Sequence, residues 1–174
     1  MKNEFLDIEK DNAPLKDRLL KKVRIIFGEI PKHYEFLGNI DSNELDIFLK
    51  EIFKILKQKN ISKEYFTFLR LYIANKKGFD YCIDFNTKLL KNIGYDNTVI
   101  EKSKSDIKYF PLTDKEILLA QKSIKAIFDS KNFTDADIKM LKEIGFSDKE
   151  IFTSINHGAY LLKNAPIIAA YLKK

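Results

Sequence analysis

The chain is expected to fold as an all-α protein, on three observations. Its apolar residues recur at helical spacing, as Leu45, Phe48, Leu49, Ile52, Phe53 and Leu56 do at i, i+3, i+4 and i+7. Thr113-Asp-Lys-Glu116 and Ser147-Asp-Lys-Glu150 are full capping boxes, in which a hydroxyl and a carboxylate three residues on satisfy each other's free N–H groups. The 6 Gly and 4 Pro leave little material for the many turns of an all-β fold. A chain of 174 residues, 45% hydrophobic, can bury a core without disulfides or metals. The expected organisation is a polar N-terminal arm over residues 1–11 and one helical domain over residues 12–174.

Taken in order, Asn12-Ala-Pro14 starts a first helix with Pro14 in its first turn, where the missing N–H is not needed, and Gly28 ends it after Phe27. Pro31 restarts the chain, and the segment to Leu37 docks Tyr34, Phe36 and Leu37 on the core. Asp41-Ser-Asn-Glu44 opens the amphipathic helix named above. Asn60 and Ser62 break that helix and cap the next, which leads through Gly78 into a second helical run ending at Gly94. Pro111 helps end what precedes it. The Thr113 box then opens a helix through Phe128, with Ile117, Leu118, Ala120, Ile124 and Ile127 as its apolar positions. Thr134 caps a short helix ending at Gly145, and the Ser147 box opens the last long helix, which Pro166 is expected to kink or end.

Leu90-Lys-Asn-Ile-Gly-Tyr95 and Leu141-Lys-Glu-Ile-Gly-Phe146 echo each other. Either two related helical halves or independent reuse of one helix-ending chemistry would produce this.

The net charge is +6, from 31 basic and 25 acidic residues. The lysines alternate with Glu and Asp, as in KEIFKILKQK, with no arginine cluster and no basic block, so they are expected to be solvated helix faces and not a nucleic-acid surface. No run approaches the ~18 apolar residues of a membrane span. The N-terminus MKNEFLDIEKDN is acidic where a signal peptide would be basic and then apolar. A single cysteine excludes an intrachain disulfide. The expectation is a soluble, cytoplasmic protein that engages neither membrane nor nucleic acid.

That cysteine, Cys82, lies within YFTFLRLYIANKKGFDYCIDFNTKLLKN, residues 65–92, near the junction of two helices. In the first turn of the second helix, free N–H groups and the helix dipole would favour its thiolate, while Asp80 and Asp84 would oppose it.

Gly78-Phe-Asp-Tyr-Cys-Ile-Asp-Phe-Asn-Thr-Lys-Leu, running into Asn92-Ile-Gly94, resembles the core motif of the carboxymuconolactone decarboxylase and alkylhydroperoxidase D-like family. FGEIPKHYEFLGNI resembles that family's Pro-containing N-terminal segment. PLTDKEILLAQKSIKAIF and GFSDKEIFTSINHGAYLLKNAPIIAAYL resemble its C-terminal pair of helices. The resemblance implies an all-helical bundle assembled as a homo-oligomer, trimer or hexamer, whose active members reduce peroxides with a Cys pair assisted by a Glu and a His. Position by position, it implies that the first Cys is Phe79, the second is Cys82, the His is Asn86 and the Glu is Thr67. Phe79 cannot resolve a disulfide, and neither Asn86 nor Thr67 exchanges a proton at neutral pH.

The expectation is therefore a protein of this type without the two-cysteine centre, with at most a one-cysteine thiol peroxidase or antioxidant activity. Cys82 would be oxidised by a small peroxide and reduced by an external thiol, with Tyr81, Asn86 and Thr67 as polar neighbours. His157, beside Gly158 in the last helix, is an outside candidate for proton transfer, with a satisfied histidine at a helix interface as the plainer alternative. His33 is expected to be solvated. A decarboxylase-like or isomerase-like activity would need Arg70 and His157 to face one cavity. The competing class is a non-catalytic oligomeric scaffold or small-ligand-binding protein that keeps an aromatic pocket at the old active-site position; separately, part of the crowd of aromatics from Tyr65 to Phe85 is expected to be buried between subunits. No metal-ligand spacing, phosphate loop, nucleophile elbow or dinucleotide fingerprint occurs, so no cofactor is expected.

Overall fold

Helices alone carry the fold among the residues described by the computed structural model, residues 13–172. They are α1 (Leu15–Phe27), α2 (Lys32–Ile40), α3 (Ser42–Leu56), α4 (Lys63–Lys77), α5 (Asp80–Ile93), α6 (Asn97–Ser105), α7 (Asp114–Phe128), α8 (Asp135–Glu143) and α9 (Asp148–Tyr171), with short 3-10 turns at Ile107–Tyr109 and Ser130–Asn132. The expected arm over residues 1–11 lies outside the described residues. The chain divides into two compact units, Met1–Lys54 and Ile55–Lys174, the division falling inside α3.

In the first unit, Pro14 and Pro31 stand one residue before their helices, at φ −50° and −64°, so each presets the chain direction without occupying the first helical position. The buried core is Leu19, Val23, Tyr34, Leu37, Leu45 and Leu49, drawn from one face each of α1, α2 and α3. His33 is not solvated as its position after Pro31-Lys32 suggests; it is 4% exposed, its ring 4.2 Å from that of Tyr34 and 5.7 Å from that of Phe48. The helix begins at Lys32, and this turns His33 inward beside Tyr34.

In the second unit α4 is the central element. Ser62 caps it by accepting the Tyr65 N–H at 3.1 Å. Tyr65, Phe66, Thr67, Phe68, Leu69, Leu71, Ile73 and Ala74 are all buried, so most of its circumference is covered, as a helix apolar on every side requires. It packs against α5, α6, α7 and α9.

Three helix ends share one geometry. At the end of α4, Gly78 donates to Asn75 O and Phe79 to Ala74 O; at the end of α5, Gly94 donates to Lys91 O and Tyr95 to Leu90 O; after α8, Gly145 donates to Lys142 O and Phe146 to Leu141 O. All three glycines have positive φ, from 69° to 103°, where a Cβ would be strained. The Gly78 end has the same bonds without the Leu-Lys-x-Ile lead-in, so the cap itself requires only the glycine.

The Ser147 box forms as expected, with Glu150 Oε2 accepting Ser147 N–H at 2.8 Å. α7 also spans the expected residues; Ala120 and Ile124 are buried as expected, Glu116, Leu119 and Ser123 complete the buried face, and Ile117, Leu118 and Ile127 are half-buried. Two polar residues occupy that face because each has a fixed partner. Glu116 accepts from Ser62 N (2.8 Å) and Thr113 Oγ1 (2.8 Å), tying the starts of α4 and α7 together. Ser123 Oγ lies 2.6 Å from Ser154 Oγ, which lies 2.5 Å from Tyr65 Oη, a buried hydroxyl chain joining α7, α9 and α4. α9 continues through Pro166 to Tyr171 and is not ended there.

Candidate functional site

Asn86, Thr67 and His157 come from three different helices and meet around Arg70, with Cys82 one turn from Asn86 on α5. Helical periodicity explains how. On α4, Thr67, Arg70 and Ala74 lie at i, i+3 and i+7; on α5, Cys82, Asn86 and Leu90 lie at i, i+4 and i+8; on α9, His157, Leu161 and Ala165 lie at i, i+4 and i+8. The three faces form a polar layer and, beside it, an apolar layer.

The polar layer is built on the half-buried guanidinium of Arg70. Its Nε donates to Asn86 Oδ1 at 2.8 Å, its Nη2 donates to Thr67 Oγ1 at 3.1 Å, and its Nη1 lies 2.8 Å from His157 Nε2. A guanidinium has no lone pair to offer, so His157 Nε2 accepts, and the imidazole is neutral with its proton on Nδ1. Asn86 then donates through Nδ2 to the carbonyl oxygen of Cys82 at 2.7 Å, which agrees with its Oδ1 being the acceptor for Arg70. The ring of Phe66 stands edge-on to His157, centroids 5.3 Å apart at 85°.

The apolar layer encloses the thiol. Cys82 is the third residue of α5 and 6% exposed, in a buried cluster with Ala74 and Ala165, against which Phe79, Tyr81, Ile83 and Leu161 pack. The ring of Tyr81 also stacks on Phe85, centroids 6.5 Å apart and planes within 2°. Gly158 lets α9 approach closely: a Cβ there would lie 2.4 Å from Ile127 Cδ1 and 2.8 Å from Ile73 Cδ1.

Burial pushes the Cys82 thiol up to about 11, against a smaller downward pull from the Arg70 charge. The first-turn position does not overcome the cost of placing a thiolate among apolar groups. Burial, and then the Arg70 charge, hold His157 well below the usual histidine value. Asn86 and Thr67 are neutral, and the accepting nitrogen of His157 is committed to Arg70. Among these described groups the thiol is protonated, and none of them leads a proton to the sulfur.

Sequence reasoning weighed Arg70 only as a conditional anchor, yet it is the hub. The available signal was its isolation as the one charged residue between Tyr65 and Asn75, in a stretch otherwise of aromatic, aliphatic and small polar residues. Among the described residues, no group of three or more His, Cys, Asp or Glu is placed to hold a metal ion, and no helix is long and apolar enough to cross a membrane.

No protein-family model matches the chain, and no curated protein does. Solved structures do. An uncharacterized peroxidase-related protein from Silicibacter sp. TM1040 superposes with a TM-score of 0.76 at 16% identity, covering 92% of this chain and 84% of that one. An uncharacterized peroxidase-related protein from Ralstonia eutropha JMP134, described as an alkylhydroperoxidase AhpD core, superposes with a TM-score of 0.74 at 15% identity, covering 92% and 87%. The chain has the alkylhydroperoxidase D-like helical fold.

Proposed function

We propose that the chain is a peroxidase-related protein of the alkylhydroperoxidase D-like class in which a single thiol, Cys82, stands where a two-cysteine centre would be. The observation that supports this reading is that Cys82 occupies the first turn of α5, one turn from Asn86, which together with Thr67 and His157 holds the Arg70 guanidinium; Asn86 and Thr67 are the positions to which the resemblance assigns the family's His and Glu. Phe79, at the position of a partner cysteine, leaves no intrachain thiol to resolve an oxidised sulfur.

The chemistry is a one-cysteine cycle. The Cys82 thiolate attacks the O–O bond of a small peroxide, takes one oxygen as sulfenic acid and releases an alcohol or water. An external thiol condenses with the sulfenic acid, giving a mixed disulfide and water. A second thiol attacks that disulfide, restores Cys82 and leaves as the oxidised reductant. With the thiol protonated at neutral pH, the cycle is slow and depends on transient opening of the apolar layer. Half-buried aromatics at Tyr72, Phe79, Tyr81 and Phe85 support an assembly of several copies, in which they would be covered.

The enclosure of the sulfur favours a second reading, a non-catalytic scaffold on the same fold. Peroxide treatment with a dimedone-type probe separates the two. Labelling of native Cys82 that is abolished in Cys82→Ser supports the one-cysteine cycle; labelling only after denaturation rejects it and leaves the scaffold.

A further inference from the structure

We infer that the lysine ridge formed where α4, α6 and α7 end together is a docking surface for a partner protein with a carboxylate-rich face. The ridge runs up to Gly78, just ahead of the helix that carries Cys82, so its use by a protein thiol reductant rests on the one-cysteine reading, whereas the docking itself does not.

The last turns of the three helices are joined by side chains. Asn75 of α4 donates through Nδ2 to the carbonyl oxygen of Lys104 of α6 at 3.0 Å. Phe128, the last residue of α7, has the ammonium groups of Lys76 and Lys77 over its ring, 4.7 and 5.2 Å from the centroid. Lys76 also stands 5.9 Å from the centroid of Tyr72, whose ring lies 6.3 Å from that of Phe110. On the α6 side, Lys102 and Lys108 stand 5.6 and 4.9 Å from the centroid of Tyr109.

Two lysines of the ridge are already neutralised, Lys104 by Glu101 at 2.7 Å and Lys108 by Asp106 at 2.9 Å. Lys76, Lys77 and Lys102 are exposed and, among the described residues, have no carboxylate at ion-pair distance. Of the nearby acids in the chain, Asp129 turns both carboxylate oxygens to Asn132 Nδ2 at 2.8 Å, and Asp80 is exposed at the start of α5. Lysines at a helix C-terminus complement its dipole, which explains why cations stand here. It does not require that three of them be held against aromatic rings on adjoining helix ends. Contact with a ring restricts a lysine side chain, so it has less freedom to lose when a partner docks.

The same contacts select the partner. The faces of Phe128, Tyr72 and Tyr109 that meet ammonium groups are not open to stacked bases, and the ridge has no arginine to fork a phosphate. Compact ammonium charges suit single carboxylates, and the net charge of +6 draws an acidic protein toward the chain from a distance.

The test is the binding of a fluorescein-labelled oligoglutamate peptide to the full chain, read by anisotropy over a salt series. The parent is compared with the triple variant Lys76→Gln/Lys77→Gln/Lys102→Gln and with a control, Lys91→Gln/Lys149→Gln/Lys163→Gln, which removes the same charge from exposed lysines on α5 and α9. All these side chains are exposed, so both variants should fold, and circular dichroism checks that they do. The ridge variant should bind about tenfold more weakly at low salt, as expected for the loss of three exposed ionic contacts, and the control should change far less. Added salt should narrow the difference. No binding by the parent at low salt, or equal weakening in the two variants, overturns the inference, since attraction would then follow net charge alone. Tighter binding of an oligothymidylate of equal charge, lost with the same three lysines, overturns it in favour of nucleic acid. Docking that depends on the ridge, together with no peroxide labelling of Cys82, upholds the surface and rejects the peroxidase reading alone; labelling without docking does the reverse.

Discussion

Arg70 Nη1 lies 2.8 Å from Nε2 of His157, and that contact fixes the protonation state of a buried histidine. A proton on Nε2 would set two donors face to face, one of them already cationic. Burial and the Arg70 charge accordingly hold His157 well below its ordinary value of 6.5 in the folded protein.

The consequence is a pH-dependent stability with a definite sign. The unfolded chain takes up a proton near pH ~6.5 while the folded chain does not, so this contribution is complete above that pH and is lost as pH falls below it, at up to about 1.4 kcal/mol per pH unit. Urea denaturation between pH of about 6.5 and 5 should show this slope in the native sequence and a flatter one in His157→Gln, which keeps an acceptor but does not titrate. Equal slopes in the two would show that His157 is not the group responsible.

Cys82, pushed up to about 11 by burial, should behave as a shielded thiol. At pH ~7 about one molecule in ten thousand carries the thiolate. Alkylation of the native protein should therefore be slow, should rise about tenfold per pH unit, and should become fast in denaturant. Native alkylation as rapid as that of a small free thiol would contradict the packing seen around the sulfur.

Gly158 gives an overpacking test. An added Cβ would lie 2.4 Å from Ile127 Cδ1 and 2.8 Å from Ile73 Cδ1, and Ile73 is fully buried. The cost of overpacking, about 1–3 kcal/mol, should exceed the ~1 kcal/mol that alanine gains over glycine in a helix. Gly158→Ala should thus lose about 1 kcal/mol, and Ile127→Val, by removing the closer contact, should recover part of it in the double variant. Additive losses in thermal or urea denaturation would mean that the two sites do not share this contact.

Glu116 joins two helix starts through one carboxylate. Burial raises its pKa, but the Ser62 N–H and the Thr113 groups outweigh burial and hold it below the usual glutamate value. Its contribution is present above the ordinary glutamate range and is lost as pH falls through and below it. Glu116→Gln, which turns an amide donor toward one of these donors, should cost about 1–3 kcal/mol at neutral pH. A variant as stable as the parent would mean that water replaces these bonds without loss.

Local chemistry made much of this protein legible before any coordinates. Capping boxes, glycine caps and 3.6-residue periodicity act over one or two turns, and α1, α4, α7 and α9 begin where those signals place them, to within a residue. The motif around Cys82 pointed to the fold shared with the peroxidase-related structures. Information of longer range was absent from that reading. The inward turn of His33, the burial of Glu116 and Ser123 on α7 and the passage of α9 through Pro166 each depend on what packs against the helix.

The clearest case is Arg70. The sequence by itself determined that Thr67 and Arg70 share one face of a helix, that Cys82 and Asn86 share one face of another, and that His157 lies beside a small residue on a third. Only the tertiary structure decided that these faces meet, with Arg70 donating to all three polar partners and the sulfur turned into the apolar layer beside them. The physical reason is range. Helix spacing determines which side chains are neighbours within one helix, whereas the partner of a buried charge and the burial of a thiol are set by residues up to 87 positions away.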